Sequence, residues 1–314
     1  MTLDSPSPIP SAQRIPPPTG GIFRRAAERA REYAELVKFE HTVFALPFAL
    51  AAMLLAAAPG RWPSALTLTW VLLAMAGGRT FAMAANRLID AQFDAQNPRT
   101  SDRAIPAGRV ARWEAFALIG ASLLAFLIAV WQLPEICQRL APLALLILAG
   151  YSYMKRISSA AHLVLGLALG ASAIGGWLAV SGEWSWLALT FGAAVTFWVA
   201  GFDIIYACLD EAFDRRVGLH SLPAWLGAAT ALKLSATFHG LSLALMAAFA
   251  ALYPHTGAAF WAAIALMGAL LAYQHRLVGP GRLERVNEAF FVVNGRISAA
   301  IFLAVLLDKL GLAR

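Results

Sequence analysis

Residues 64–94 read SALTLTWVLLAMAGGRTFAMAANRLIDAQFD. Up to Ala85 the run is almost wholly apolar, and about 20 such residues suffice to cross the hydrocarbon core of a bilayer. The end of the run carries Asn86, Asp90 and Asp94 at spacings of four, so at 100° per residue they share one helix face. Arg79, seven residues before Asn86, lies deeper on the same stripe. Ionised groups near hydrocarbon are costly and tend to mark function.

The rest of the chain supports a membrane setting. Of 314 residues, 60% are apolar and 14% charged, against about 45–50% and 25% in soluble domains. That excludes a soluble globule, a disordered chain and a disulfide scaffold. Nine apolar runs are candidate spans: 40–58, 64–88, 112–131, 139–154 (a short one), 160–180, 185–207, 229–252, 257–275 and 288–310. The expected fold class is therefore all-α: a polytopic membrane protein of nine helices. Residues 1–21 hold six prolines and are expected to be a disordered tail. Residues 22–314 are expected to form one transmembrane domain. Basic residues from Arg24 to Arg31 suit a helix lying on an anionic membrane surface. The net charge of +7 resides mostly in short loops, which points to lipid and anionic substrates and away from nucleic acid. With the N-terminus inside, 18 Lys and Arg fall on the inner side and four outside. The expectation is an inner-membrane protein with a cytoplasmic N-terminus and active site and an outer C-terminus. Cys137 and Cys208 have no metal or redox spacing and are expected to be packing residues.

A second stripe ends the sixth run: Asp203, Tyr206, Asp210 and Asp214, with the three carboxylates at spacings of seven and four. Both stripes fall at the same end of even-numbered spans. Clustered carboxylates repel one another and need cations. An all-oxygen set without His or Cys suits Mg²⁺, which leaves coordination positions for phosphate oxygens. Basic residues lie close by: Arg99 and Arg103 after the first stripe, Lys155 and Arg156 after the fourth run, Arg215 after the second stripe. A divalent-metal and diphosphate clamp at the membrane surface is the expected chemistry.

Asn86-x-x-x-Asp90-x-x-x-Asp94, followed by Asn97-Pro98-Arg99-Thr100-x-x-Arg103-x-x-Pro106-x-Gly108, resembles the first signature of the UbiA superfamily of intramembrane aromatic prenyltransferases. Asp203-x-x-Tyr206-x-x-x-Asp210-x-x-x-Asp214 is similar to its second, and Tyr151-Ser-Tyr-Met-Lys155-Arg156 to its short motif after the fourth span. Among members, 4-hydroxybenzoate polyprenyltransferases look most alike. The resemblance implies a bundle of two four-helix halves plus one helix. It also implies Mg²⁺ held by Asn86, Asp90, Asp210 and Asp214, with Asp94 in or beside that shell, bridging to a polyprenyl diphosphate. Two stretches depart from the ubiquinone enzymes: Lys38-Phe-Glu40-His41-Thr42 and Gly218-Leu-His220-Ser221. The first resembles a UbiA-like branch of the futalosine menaquinone pathway.

The expected reaction is transfer of the prenyl group, through an allylic cation, to an aromatic acid acceptor in quinone biosynthesis. Asp203 is expected to orient the phenol and take the ring proton, with Tyr206 and Arg79 as further catalytic residues. Lys38, His41, Arg79 and Asp203 are expected to bind the aromatic substrate. His162, His239, His255 and His275 are read as packing or interfacial residues, and Asn294 as a group bonding across helices. Other acceptors (a naphthoate, haem, chlorophyll or a sugar phosphate) and an anion or metal transporter remain open.

Overall fold

Every apolar run becomes a helix. The computed structural model describes residues 22–37 and 42–311; the Pro-rich tail, Lys38 and His41 lie outside the described residues. In chain order the helices are α1 (Ile22–Leu36), α2 (Thr42–Ala56), α3 (Ala65–Gln96), α4 (Arg112–Trp131), α5 (Glu135–Ile157), α6 (Ala161–Ser181) and α7 (Trp186–Ala207). A 3₁₀ turn, Cys208–Asp210, leads into α8 (Glu211–Val217), followed by α9 (Leu222–Leu226), α10 (Ala228–Leu252) and α11 (Ala258–Leu277). A π turn, Glu288–Val293, opens α12 (Asn294–Lys309). Among the described residues eight helices are long and apolar enough to span a membrane, with α2 a shorter ninth. No strand occurs among them.

Local chemistry sets several ends. The Ser64 hydroxyl accepts from the Thr67 amide, and Ser185 from Leu187, capping α3 and α7. Gly182 ends α6 in a left-handed conformation that other residues adopt at a cost. The fourth run is longer than expected: α5 gains polar turns at both ends, from Glu135 to Arg139 and at Lys155 and Arg156, where side chains reach past the hydrocarbon. Helix α3 extends two turns beyond the expected 64–88, so Asp90 and Asp94 ride on regular helix.

Packing divides the bundle unequally. Six helices (α2, α6, α7, α10, α11 and α12) close a ring around the main core, which includes Phe48, Phe191, Trp198, Phe249 and Ile297. The other three, α3, α4 and α5, pack on one another and touch the ring mainly through α5 and α6. So α2 joins the later helices in space rather than its sequence neighbour α3. Close approach needs small residues: a Cβ at Gly176 would lie 2.6 Å from the Ala49 carbonyl oxygen, and one at Gly77 2.8 Å from the Phe126 amide.

Exposed apolar side chains such as Leu127, Leu146, Leu241 and Leu303 form the outer surface, as lipid contact requires. Exposed Trp62, Trp131, Trp184 and Trp186 ring one end, and Trp113, Tyr153 and Trp225 the other, marking two interfaces. At the end away from the acidic stripes, the Lys309 ammonium donates to the carbonyls of Leu54, Ala57 and Ala58 at the close of α2. Asp308 accepts from the amides of Gly257, Ala259 and Phe260 at the start of α11. These charges sit on opposite helix poles, each of the favoured sign.

The amphipathic α1 lies on the loop 97–111. Arg29 and Tyr33 both bond Glu114, at 2.5 and 2.9 Å, and Arg109 pairs with Glu32 and Glu35. The bond to Glu114 raises the Tyr33 pKa above that of an ordinary phenol, because it is made while the hydroxyl keeps its proton.

Candidate active site

The α3 stripe is saturated with hydrogen bonds on one side. The Asn86 amide donates to Asp90 Oδ2 at 2.7 Å, and Arg156 donates to Asp90 Oδ1 at 3.1 Å and to the Ile89 carbonyl at 2.8 Å. Arg103 donates to Asp94 Oδ1 at 2.5 Å. The buried Arg87 stands 3.9 Å from Asp94 Oδ2 and reaches back to the Leu36 carbonyl. Arg79 sits half-buried two turns deeper.

The second stripe is held from across the bundle. Arg99 forks onto both oxygens of Asp210, and the Asn97 amide joins it at 3.0 Å. Burial works against the Arg99 charge, but the bonds to Asp210 outweigh it and hold the guanidinium pKa above its ordinary value. Arg99 also donates to the Tyr206 hydroxyl at 3.3 Å and lies over the Tyr206 ring. Lys155 stands 3.6 Å from Asp214 Oδ2. Asn97 and Arg99 follow α3 directly, so the loop after the first stripe binds the second.

Of the expected diphosphate residues, Arg99, Arg103, Lys155 and Arg156 converge here. Arg215 does not: it pairs with Glu211 on its own helix and donates to the Ala224 carbonyl. The break at Cys208–Asp210 separates Asp203 from its stripe mates. Three residues of 3₁₀ helix turn about 60° further than three of α-helix, and Asp203 instead meets His162 at 2.6 Å. Three contributors were not expected at the site: Arg87; Asn97, quoted above only as part of a motif; and His162, expected to be a packing or interfacial residue but bonded to Asp203. Arg87 lies seven residues before Asp94, a same-face spacing that had been informative elsewhere.

Beneath the polar groups lies an aromatic wall. Tyr206 packs on Phe290 at 4.4 Å, and Phe290 on Phe44, Phe202 and Phe291. The π turn makes this possible. It frees carbonyls that Gln274 and Asn294 satisfy, Gln274 donating to Ala289 at 2.8 Å and Asn294 to Phe290 at 2.9 Å. Trp177 and Phe197 point elsewhere, onto Tyr253 and Phe238 respectively.

The fit to a divalent cation rests on the donors. Asp94 Oδ2 and Asp214 Oδ2 are buried carboxylate oxygens without a hydrogen-bond partner, each with only a distant cation beside it. Buried acceptors left so are costly. Among the described residues no three acidic, His or Cys side chains form a ready cage. The donors present are all oxygens, which suits Mg²⁺, an ion that keeps coordination positions for water and phosphate oxygens.

Residues 45–298 match the family described as the UbiA prenyltransferase family. A mitochondrial 4-hydroxybenzoate polyprenyltransferase of Rattus norvegicus is 30% identical over 82% of this chain and 68% of its own length. A 4-hydroxybenzoate octaprenyltransferase of Thiobacillus denitrificans is 32% identical over 74% and 78%. The apo structure of a UbiA homologue from Aeropyrum pernix K1 superposes with a TM-score of 0.77 at 35% identity, covering 86% of this chain and 98% of that one. A UbiA homologue from Archaeoglobus fulgidus bound to GPP and Mg²⁺ shares the fold, with a TM-score of 0.69 at 19% identity over 88% and 99%. The chain belongs to the UbiA prenyltransferase family and is a multi-pass membrane prenyltransferase.

Proposed function

We propose that this prenyltransferase moves a polyprenyl group from its diphosphate to a ring carbon of a 4-hydroxybenzoate-like phenolic acid, in quinone biosynthesis, at the cytoplasmic face. The observation that carries the proposal is the mesh of four carboxylates and four cations over an aromatic wall. The names of the 4-hydroxybenzoate transferases it resembles support the acceptor. The 18-to-4 distribution of Lys and Arg supports the orientation.

The cations are reachable by an anion, since the side chains of Arg103, Arg99, Arg156 and Lys155 are 23% to 37% exposed. A diphosphate entering the mesh takes their hydrogen bonds, which strengthen as charge builds on the leaving oxygens. Asn86, Asp90, Asp94, Asp210 and Asp214 are the residues that would hold Mg²⁺, and the ion when bound would supply the charge neutralisation that makes diphosphate a leaving group. The allylic C–O bond breaks and its electron pair leaves with the diphosphate. Phe44, Phe202, Phe290 and Phe291 exclude water from the resulting cation and offer it ring faces. The phenol ring carbon then bonds to the allylic carbon, and the ring proton passes to Asp203.

Purified protein given labelled prenyl diphosphate, 4-hydroxybenzoate and Mg²⁺ is expected to yield prenylated hydroxybenzoate, seen by product mass, and none with a chelator present. Product formed only with a naphthoate or another acceptor would overturn the acceptor. No transfer to any acceptor would overturn the activity.

A further inference from the structure

We infer that His162, a residue with no motif around it, is the positioning residue that holds Asp203 for the aromatic acceptor. The inference rests on the proposed reaction and deepens it. His162 lies in the first turn of α6 and is fully buried. Its Nδ1 is 2.6 Å from Asp203 Oδ2, and its Nε2 is 3.3 Å from the backbone nitrogen of Leu222, the first residue of α9.

A peptide N–H can only donate, so Nε2 must be the lone-pair nitrogen. The ring proton is then on Nδ1, pointing at Asp203. The tautomer follows from the partners alone. A cationic ring would set an Nε2 proton against the Leu222 proton inside a site with no water access, and the Nε2–H tautomer would set the same two protons together while leaving Asp203 facing a lone pair. The neutral Nδ1–H form satisfies all three groups.

The consequence falls on Asp203. One oxygen is fixed by His162, and among the described residues no hydrogen bond reaches Oδ1. The carboxyl side chain remains 21% exposed, whereas that of His162 is 0% exposed. His162 is therefore sealed from any ligand, whereas Asp203 keeps accessible surface. With Oδ2 engaged by His162, Oδ1 is left as the acceptor for a phenol hydroxyl and later for the ring proton. The clamp spans α6, α7 and the start of α9, which the loop 218–221 joins to the second acidic stripe. That loop is itself pinned where the His220 amide donates to the Lys155 carbonyl at 2.6 Å. Diphosphate side and acceptor side are thus joined by backbone at His162.

Three variants and one spectrum test the assignment. His162→Ala is expected to lower kcat/KM for the phenolic acid by roughly 10–100-fold, as loss of an orienting partner commonly does, with KM for prenyl diphosphate within about twofold. His162→Asn keeps an N–H at the Nδ1 position and is expected to recover most of the loss, which also separates positioning from simple misfolding. Equilibrium binding of labelled 4-hydroxybenzoate gives a cycle free of turnover: in the Asp203→Asn background, His162→Ala should cost no further affinity. Nitrogen-15 spectra of imidazole-labelled protein should lose a neutral Nδ1–H signal in His162→Ala. An imidazolium or Nε2–H signal there, losses that multiply in the double variant, or equal loss for both substrates would overturn the assignment. If the wild type prenylates no phenolic acid, the proposed reaction fails, and the nitrogen signal alone then decides whether His162 clamps Asp203.

Discussion

The two acidic stripes have nearly the same sequence spacing and quite different backbones. The first rides on α3, an uninterrupted helix of 32 residues, so Asn86, Asp90 and Asp94 keep one face. The second crosses a 3₁₀ turn at Cys208–Asp210, and its members part company: Asp203 turns to His162, while Asp210 and Asp214 turn to Arg99 and Lys155. A repeated i,i+4 pattern gives a common face only where the helix stays α-helical. The break divides one sequence motif between two sets of partners, His162 for Asp203 and the cations Arg99 and Lys155 for Asp210 and Asp214.

If both stripes act on one diphosphate, Asp90→Ala and Asp210→Ala should each cut prenyl transfer by at least about 10²-fold, a loss of the size seen when one preorganised electrostatic group is removed. Transfer assays on folded variants check this; a large loss in only one would break the equivalence. Next, Arg99→Ala should cost more than Arg103→Ala, roughly 100-fold against 10-fold. Arg99 alone forks onto Asp210 and also engages Tyr206, whereas Asp94 keeps Arg87 when Arg103 is gone. Their kcat/KM ratio measures the asymmetry. Tyr206→Phe removes one hydrogen bond from Arg99 and keeps the ring against Phe290, so a loss of about 3–10-fold is expected in the same assay. Arg215→Ala, breaking an exposed pair on α8 and one bond to the Ala224 carbonyl, should stay within about twofold in rate.

The same contrast explains what could be read beforehand. The eight long helices, the shorter α2 and the spacing of the first stripe follow from hydropathy and helix geometry, which are local. The break at Cys208–Asp210 has no marker, since Cys-Leu-Asp contains neither Gly nor Pro. The pairing of Arg99 with Asp210 joins residues 111 apart, and that of His162 with Asp203 residues 41 apart; no periodicity connects them. A single histidine without metal spacing is ordinarily packing material, and His162 differs only by the carboxylate that folding brings to it. Arg87 was legible, seven residues from Asp94 and near the end of the 64–88 run. The placement of α2 within the six-helix ring is likewise decided by long-range packing.

That ring has a consequence for biosynthesis. Helix α2 has 15 residues with Pro47 inside, and its end is held by Lys309, more than 250 residues later in the chain. The carbonyls at the end of α2 therefore lack this partner until α12 has been made. During translation the nascent bundle is an open horseshoe, and a stalled or truncated product lacking α12 would present α2 as an unfinished seam to membrane quality control.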